Sequence, residues 1–265
     1  MTYKLKRLAK PLAVIMMVVA LTGCAAQGER ASLNTTIADP LEPMNRGILK
    51  FNNAVDMVLL DPLAKGYNAV LPGFAKQAVG NFLNNLRSPL YAANNVLQGD
   101  IGGAGKNLAR FVMNSTIGIA GLVDVAAKNG LQHEPEDFGQ TLAVWGVGNG
   151  FYLVWPILGP SSLRDTAGTF ADAFADPVRI IAFSEGEEWI YYTRGGVEAL
   201  HAKAQTVEVL EDLKENSLDY YSALKSIYEQ RRVALIRDNS YNMSAPQVSY
   251  DDYEAEFNRY TDSES

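Results

Sequence analysis

The one thiol in this sequence comes at a telling place. Cys24 is the only cysteine in 265 residues, and it directly follows Leu21-Thr22-Gly23. Before it lie Lys4, Lys6, Arg7 and Lys10, then an uncharged apolar stretch over residues 12–21. A basic start, an apolar core of about ten residues and small residues at the cleavage point describe an export signal. The stretch is too short to cross a bilayer, which takes ~20 apolar residues. A lone cysteine makes no internal disulfide and no cysteine cage for a metal. Its setting matches a bacterial lipobox, in which the thiol is acylated and becomes the first residue of the mature chain. Residues 1–23 are thus expected to be a signal peptide and Cys24 the lipid anchor.

Other residues with chemical potential are few. His133 and His201 are the only imidazoles, and neither has the spacing of a His-Glu-x-x-His metal site. No Gly-x-Ser-x-Gly is present, so a hydrolase nucleophile has no support. The stretch Gly102-Gly103-Ala104-Gly105-Lys106-Asn107 fails as a phosphate loop. Asn107 replaces Ser/Thr, and Asp100 stands where the first glycine belongs. His133 beside Glu134, Glu136 and Asp137 reads as a solvated loop before it reads as an acid/base cluster. Neither an enzyme nor a cofactor or metal site is expected.

Charge narrows the partners. Removing residues 1–23 takes away four basic and no acidic side chains, leaving 19 basic against 30 acidic and a formal charge of −11. Nucleic acid is disfavoured, because phosphate binding needs clustered Lys and Arg. A polybasic route to anionic lipid is missing as well. No apolar run in the mature part reaches 18 residues, so membrane contact beyond the anchor must come from helices with one greasy face.

The elements that would position any site are mostly helical. Residues 24–38 are small and polar and read as a tether. The body, residues 39–237, opens on Asp39-Pro40-Leu41-Glu42, where Asp39 as N-cap and Glu42 three later would form a capping box. Apolar spacing of three and four predicts helices over about 44–60, 73–97, 101–117 and 119–128. Pro89 should kink the second. Residues 138–160 carry almost no charge and five glycines, and the Gly146-Val147-Gly148-Asn149-Gly150 stretch divides two apolar arms as a hairpin-like loop would. Helices resume from Ser161 or Ser162 to 175 and from 177 to 183. Residues 186–237 form one long helical pattern whose remaining face carries Glu, Lys, Arg and Gln. From Asp238 on, seven carboxylates face one arginine, which predicts a disordered acidic tail over 238–265.

Several blocks, in order, resemble the MlaA (VacJ) family of outer-membrane lipoproteins. They are Asp39-Pro40-Leu41-Glu42-Pro43-Met44-Asn45-Arg46, Phe51-Asn52, and Asn81-Phe82-Leu83-Asn84-Asn85-Leu86 with Pro89. Leu97-Gln98-Gly99-Asp100, Arg110-Phe111, Asn114-Ser115-Thr116-Ile117-Gly118 and Gly121-Leu122-Val123-Asp124-Val125-Ala126 follow. The last are Glu136-Asp137-Phe138-Gly139-Gln140-Thr141-Leu142, Trp145-Gly146-Val147-Gly148 and Leu158-Gly159-Pro160-Ser161-Ser162-Leu163-Arg164-Asp165. The likeness covers about residues 39–183; beyond that the chain matches only in being helical and then polar.

The resemblance implies a mostly α fold. Amphipathic helices would lie in the membrane plane as a ring around a polar channel, with a Gly-rich hairpin loop. It implies removal of misplaced phospholipids from the outer leaflet and their delivery to the soluble periplasmic carrier MlaC, beside a trimeric porin. Ala25 and Ala26, in place of an Asp after the cysteine, imply outer-membrane sorting on the periplasmic side. Pulling a two-chain lipid into water costs on the order of 20 kcal/mol or more, so a conduit that shelters the chains lowers the barrier without covalent chemistry.

Asn52, Asn53, Asn84, Asn85, Arg164 and Asp165 are the candidate channel-lining residues. Arg164 suits a lipid phosphate, although Arg164 and Asp165 also read as a structural ion pair at a helix start. For a gate, Gly139, Gly146, Gly148 and Gly150 would let a 138–155 hairpin swing, with Trp145, Tyr152 and Trp155 at headgroup level. The bland alternative is a rigid hairpin packed on its neighbours. At the level of function, the alternatives are a structural lipoprotein that scaffolds porins without transferring lipid, and a phospholipase-like hydrolase.

Overall fold

The computed structural model describes residues 36–237, so the signal peptide, Cys24, most of the tether and the acidic tail lie outside the described residues. Helices α1 (Glu42–Val55), α2 (Asp61–Val70), α3 (Gly73–Gln98) and α4 (Ile101–Thr116) come first. A short α5 (Val125–Lys128), then α6 (Phe138–Val144), leads to a two-stranded sheet of β1 (Tyr152–Trp155) and β2 (Gly159–Ser162). Helices α7 (Leu163–Ala175), α8 (Pro177–Glu185), α9 (Glu188–Asn216) and α10 (Tyr220–Ile236) complete the chain.

The capping box at the start of α1 does not form. Leu41 is the N-cap and offers no side-chain bond. Asp39 is engaged elsewhere: its Oδ1 accepts from Asn45 Nδ2 at 3.0 Å and its Oδ2 from the Tyr221 hydroxyl. The helix also does not stop at 60. A π-helical turn, Asp56–Leu60, carries it into α2, with Pro62 in the first turn of the new helix where its missing amide costs nothing. The widened turn sets Asp56 and Asp61 on one side, and both pair with Lys203 Nζ of α9 at 3.0 and 2.9 Å.

Helix α3 runs through Pro89 unbroken and ends at Gly99, whose φ of +83° a side-chain-bearing residue would resist. Asp100 then caps α4 by accepting from Gly103 N at 2.9 Å. The chain folds back here, so that Asn107 Nδ2 of α4 donates to Asn95 Oδ1 of α3 at 2.8 Å. Of residues 119–128 only α5 is helical. Before it, Ile119 and Ala120 sit at φ of +54° and +56° and wrap a left-handed turn around Gly121.

The stretch over 138–160 departs from a hairpin turned at 146–150. Its first arm is helix α6, because Asp137 caps it by accepting from Gln140 N at 2.8 Å. The hairpin forms later: Tyr152 pairs with Ser162 and Trp155 with Gly159 around a turn at 156–158. Asn52 fixes that turn, donating to Trp155 O at 2.9 Å and accepting from Ile157 N at 2.8 Å. Ser162 caps α7 as expected. The pattern over 186–237 is two helices, because Asp219 starts a new one by accepting from Tyr221 N and is held in place by both Arg46 Nη atoms.

Conventional core is scarce. One cluster gathers Ile37, Leu49, Tyr152, Val154 and Tyr221; a second is Ala64, Ala204 and Val207. The helices instead turn polar stripes inward. On α4 the inner face is Gly103, Ala104, Asn107, Arg110 and Asn114, while Ile101, Leu108 and Val112 stand outside. Among the described residues eighteen polar or charged side chains are buried against fifteen hydrophobic ones, and thirty-six large hydrophobics are exposed. Burial is thus the reverse of a water-soluble domain, whose interior favours Ile, Val, Leu and Phe.

Candidate functional site

The inward polar faces surround a cavity of about 1060 Å³ walled by α3, α6, α7, α9 and α10. Helix α3 contributes Asn84 and Arg87 at helical spacing; α9 contributes Arg194, Glu198, His201 and Gln205. Two charge networks shape the wall. In one, Arg87 forks onto Glu198 at 3.1 and 2.7 Å, and Arg194 forks onto Asp176, the cap of α8. In the other, Arg232 joins Asp137 and Asp165, and the Tyr228 hydroxyl donates to Asp165. Forked guanidinium–carboxylate pairs fix geometry as well as charge.

Electrostatics here is set by burial against pairing. Burial raises the Asp137 carboxyl, but the hydrogen bond and charge of Arg232, with Gln140, outweigh it and hold it below its usual value. Burial keeps the Tyr228 phenol protonated well above its ordinary range, and neighbouring Asp165 adds to that. His133, packed against Tyr91, is pushed down to about 4 by burial and then by the charge of Arg110. His201 is lowered by burial; its ring nitrogens meet Tyr67 Oη and Gln205 Nε2, each at 2.9 Å. Among the described residues no group of three His, Cys, Asp or Glu is arranged to hold a metal.

Of the six candidates for lining, Asn84 and Asp165 face the cavity. The others do not. Asn52 clamps the hairpin turn, and Asn53, its neighbour on α1, keeps a buried Oδ1 without a partner. Asn85 turns to α4, donating to Ser115 Oγ at 2.8 Å. Arg164 is buried and donates from Nε to Asp165 Oδ1 at 3.0 Å, which makes it a brace of the second network. Sequence reading missed Arg87, Arg194, Glu198 and Asp172. A signal existed: positions 194, 198, 201 and 205 repeat at three and four, a polar stripe as regular as the apolar one beside it.

The gate candidates divide in the same way. Gly139 is no hinge: it lies where α6 crosses α7, and a Cβ on Gly168 would sit 2.3 Å from its backbone nitrogen. Tyr152 is fully buried in the core rather than at headgroup level. Gly146 and Gly150 have φ of +87° and +69°, and with Gly148 they lie in the irregular link between α6 and β1. Trp145 stands half-exposed with its indole donating to Leu97 O at 2.9 Å; Trp155 donates to Thr166 Oγ1 at 2.9 Å.

The described residues are thus polar inside and apolar outside, and no helix among them is long and apolar enough to cross a membrane. The family model described as MlaA lipoprotein matches residues 37–235. The chain belongs to the MlaA lipoprotein family. The match runs through α9 and α10, where the separate sequence blocks had given out. The intermembrane phospholipid transport system lipoprotein MlaA of Escherichia coli is 34% identical over 217 residues, 80% of this chain and 82% of that protein. Its Haemophilus influenzae counterpart is 30% identical over 232 residues, 86% and 90%. An uncharacterized protein of Rickettsia bellii is 35% identical over 202 residues, 76% and 78%. A solved structure, from work on the structural basis for maintenance of bacterial outer membrane lipid asymmetry, superposes with a TM-score of 0.66. It is 33% identical, and the alignment covers 75% of this chain and 99% of that one. The shared MlaA fold is therefore mostly helical with one small sheet.

Proposed function

We propose that this chain is a non-enzymatic phospholipid conduit of the outer membrane. It removes mislocalised phospholipids from the outer leaflet through its polar cavity and hands them to a soluble periplasmic carrier, so maintaining lipid asymmetry. The observation that carries the reading is the reversed burial: apolar side chains face outward around a polar hollow. An apolar exterior is stable when lipid covers it, and helices too short or too polar to span must then lie along one leaflet. The hollow accepts a charged headgroup while acyl chains stay in an apolar setting, which avoids most of the cost of exposing ~0.8 kcal/mol per methylene to water. No nucleotide motif is present in the sequence, so direction comes from downstream partners.

In this reading Cys24 carries the acyl anchor on the periplasmic side, after cleavage of residues 1–23, and residues 24–38 tether the body. A trimeric porin seats the apolar rim and an MlaC-type carrier receives the lipid. The movable part is the link holding Gly146, Gly148 and Gly150, with Trp145 and Trp155 at headgroup depth; Gly139 and Tyr152 stay fixed. The test is the amount of outer-leaflet phospholipid on intact cells of a deletion strain. The wild-type gene restores the low level. Cys24→Ala and Ala202→Trp, which places an indole in the cavity wall, fail to restore it. Full restoration by Ala202→Trp at normal protein abundance refutes the conduit and leaves the porin scaffold.

A further inference from the structure

One cation on the apolar exterior lacks an anionic partner. Arg179, in the first turn of α8, makes no side-chain hydrogen bond or ion pair with any described residue. Its guanidinium instead lies over two rings, 4.4 Å from the centre of Phe174 and 4.9 Å from that of Phe183. Of the carboxylates near it in sequence, Glu185 at the end of α8 forms no ion pair with it, and the two on its N-terminal side are already used. Asp172 accepts from Asn94 Nδ2 and Phe138 N; Asp176 accepts from Arg194 and from the backbone of Val178 and Arg179. Around the arginine the surface is greasy: Phe170, Phe174, Ile180, Ile181 and Trp189 are all exposed.

We propose that Arg179, held between Phe174 and Phe183, docks the phosphate of a membrane phospholipid at the lip of the cavity. The proposal rests on the reading that the apolar exterior lies in lipid. There a guanidinium carries a desolvation cost that ring faces offset only in part, and an anion with two oxygens completes its fork. A phospholipid supplies both halves of the fit, phosphate for the fork and chains for the apolar face. Position gives the site a purpose. The Phe183 ring meets Tyr191 and Tyr192 edge-on, with centres 6.1 and 6.2 Å apart, and both tyrosines line the cavity. Arg179 is therefore one ring away from the mouth, and a lipid held there is staged for transfer of its headgroup inward. Trp189 and the two tyrosines form the aromatic belt that marks headgroup depth.

The test uses the acylated full-length chain in detergent micelles, titrated with phosphatidylglycerol and read by native mass spectrometry. Arg179→Gln is expected to weaken binding of one lipid about tenfold. Arg179→Lys, which keeps charge but not the fork, is expected to fall between. Equal lipid occupancy in all three proteins overturns the site. Millimolar inorganic phosphate is expected to leave the bound lipid in place; displacement by phosphate alone overturns the lipid as occupant in favour of a free anion. The same proteins in nanodiscs with brominated acyl chains separate the two levels of the account, since Trp145, Trp155 and Trp189 all stand exposed on the exterior. Quenching in wild type and variant with unchanged lipid titration removes the Arg179 site alone. Absence of quenching removes the embedded exterior, and the site with it.

Discussion

Replacing Gly168 by alanine adds one methyl group where α6 crosses α7. The added Cβ would lie 2.3 Å from Gly139 N, 2.7 Å from Gly139 Cα and 3.0 Å from Phe138 C, where ordinary contact begins at 3.4 Å. All three are backbone atoms, so no side chain can swing aside and the helices must part by roughly 1 Å. Overpacking of this kind costs ~1–3 kcal/mol, and contact with backbone puts it near ~3. Against that stands ~1 kcal/mol gained because alanine favours a helix more than glycine does. The net is about 2 kcal/mol of destabilisation, or a fall in Tm of roughly 4–8 °C for a body of this size. Gly196 is the control. It lies inside α9 with nothing within 4 Å of its Cβ position. Gly196→Ala should therefore raise Tm by about 2–4 °C through propensity alone. The assay is thermal unfolding by circular dichroism in detergent. Equal Tm values for Gly168→Ala and wild type refute the close crossing, and with it the conclusion that Gly139 is packing rather than hinge.

Acidification should act through His133. Its folded pKa of about 4 lies below the unfolded value near 6.5, so the unfolded chain binds the extra proton and stability falls as pH drops between those values. His133→Phe keeps the ring against Tyr91 and should flatten the loss of Tm between pH 6.5 and 4.5; a variant that keeps the wild-type slope excludes His133 as its source. Asn45 is fully buried, donates to Tyr152 O at 3.1 Å and accepts from Val154 N at 2.9 Å. Asn45→Leu strands two buried backbone groups at about 1–3 kcal/mol each and should lower Tm by more than Gly168→Ala does. A smaller drop, read in the same melts, means that water replaces the side chain.

Much of the helical frame could be read from the letters, since spacing of three and four marks α3 and α4, and a serine cap marks α7, almost to the residue. What escaped reading depended on long-range contacts. Asp39 has the local pattern of a cap, yet Asn45 and Tyr221, one of them 182 residues away, take its oxygens first. The π-turn at 56–60 answers to Lys203 on another helix, and no pattern in the 56–61 segment announces it. Periodicity cannot tell which face of an amphipathic helix is inside. The habit of placing apolar faces in a core hid the cavity wall, because here the polar stripe of α9 is the inward one. Asparagine alone was a poor guide for the same reason: Asn84 and Asn85 are adjacent, and a single step of about 100° sends one to the hollow and the other to α4. The pair Arg164-Asp165 at a helix start reads as structural before it reads as a lipid contact, and the bond between the two, with that of Arg232 to Asp165, braces the wall.

The sharpest check on the account is thiol accessibility in lipid vesicles. Cys24 is the one native thiol, and the proposed acylation blocks it, so single cysteines can be placed without background. Asn84→Cys and Gln205→Cys in the cavity should react with a charged, water-soluble thiol reagent, whereas Leu108→Cys and Ile181→Cys on the exterior should stay silent until detergent is added. Rapid labelling of the exterior pair in intact vesicles, with the cavity pair protected, would contradict it.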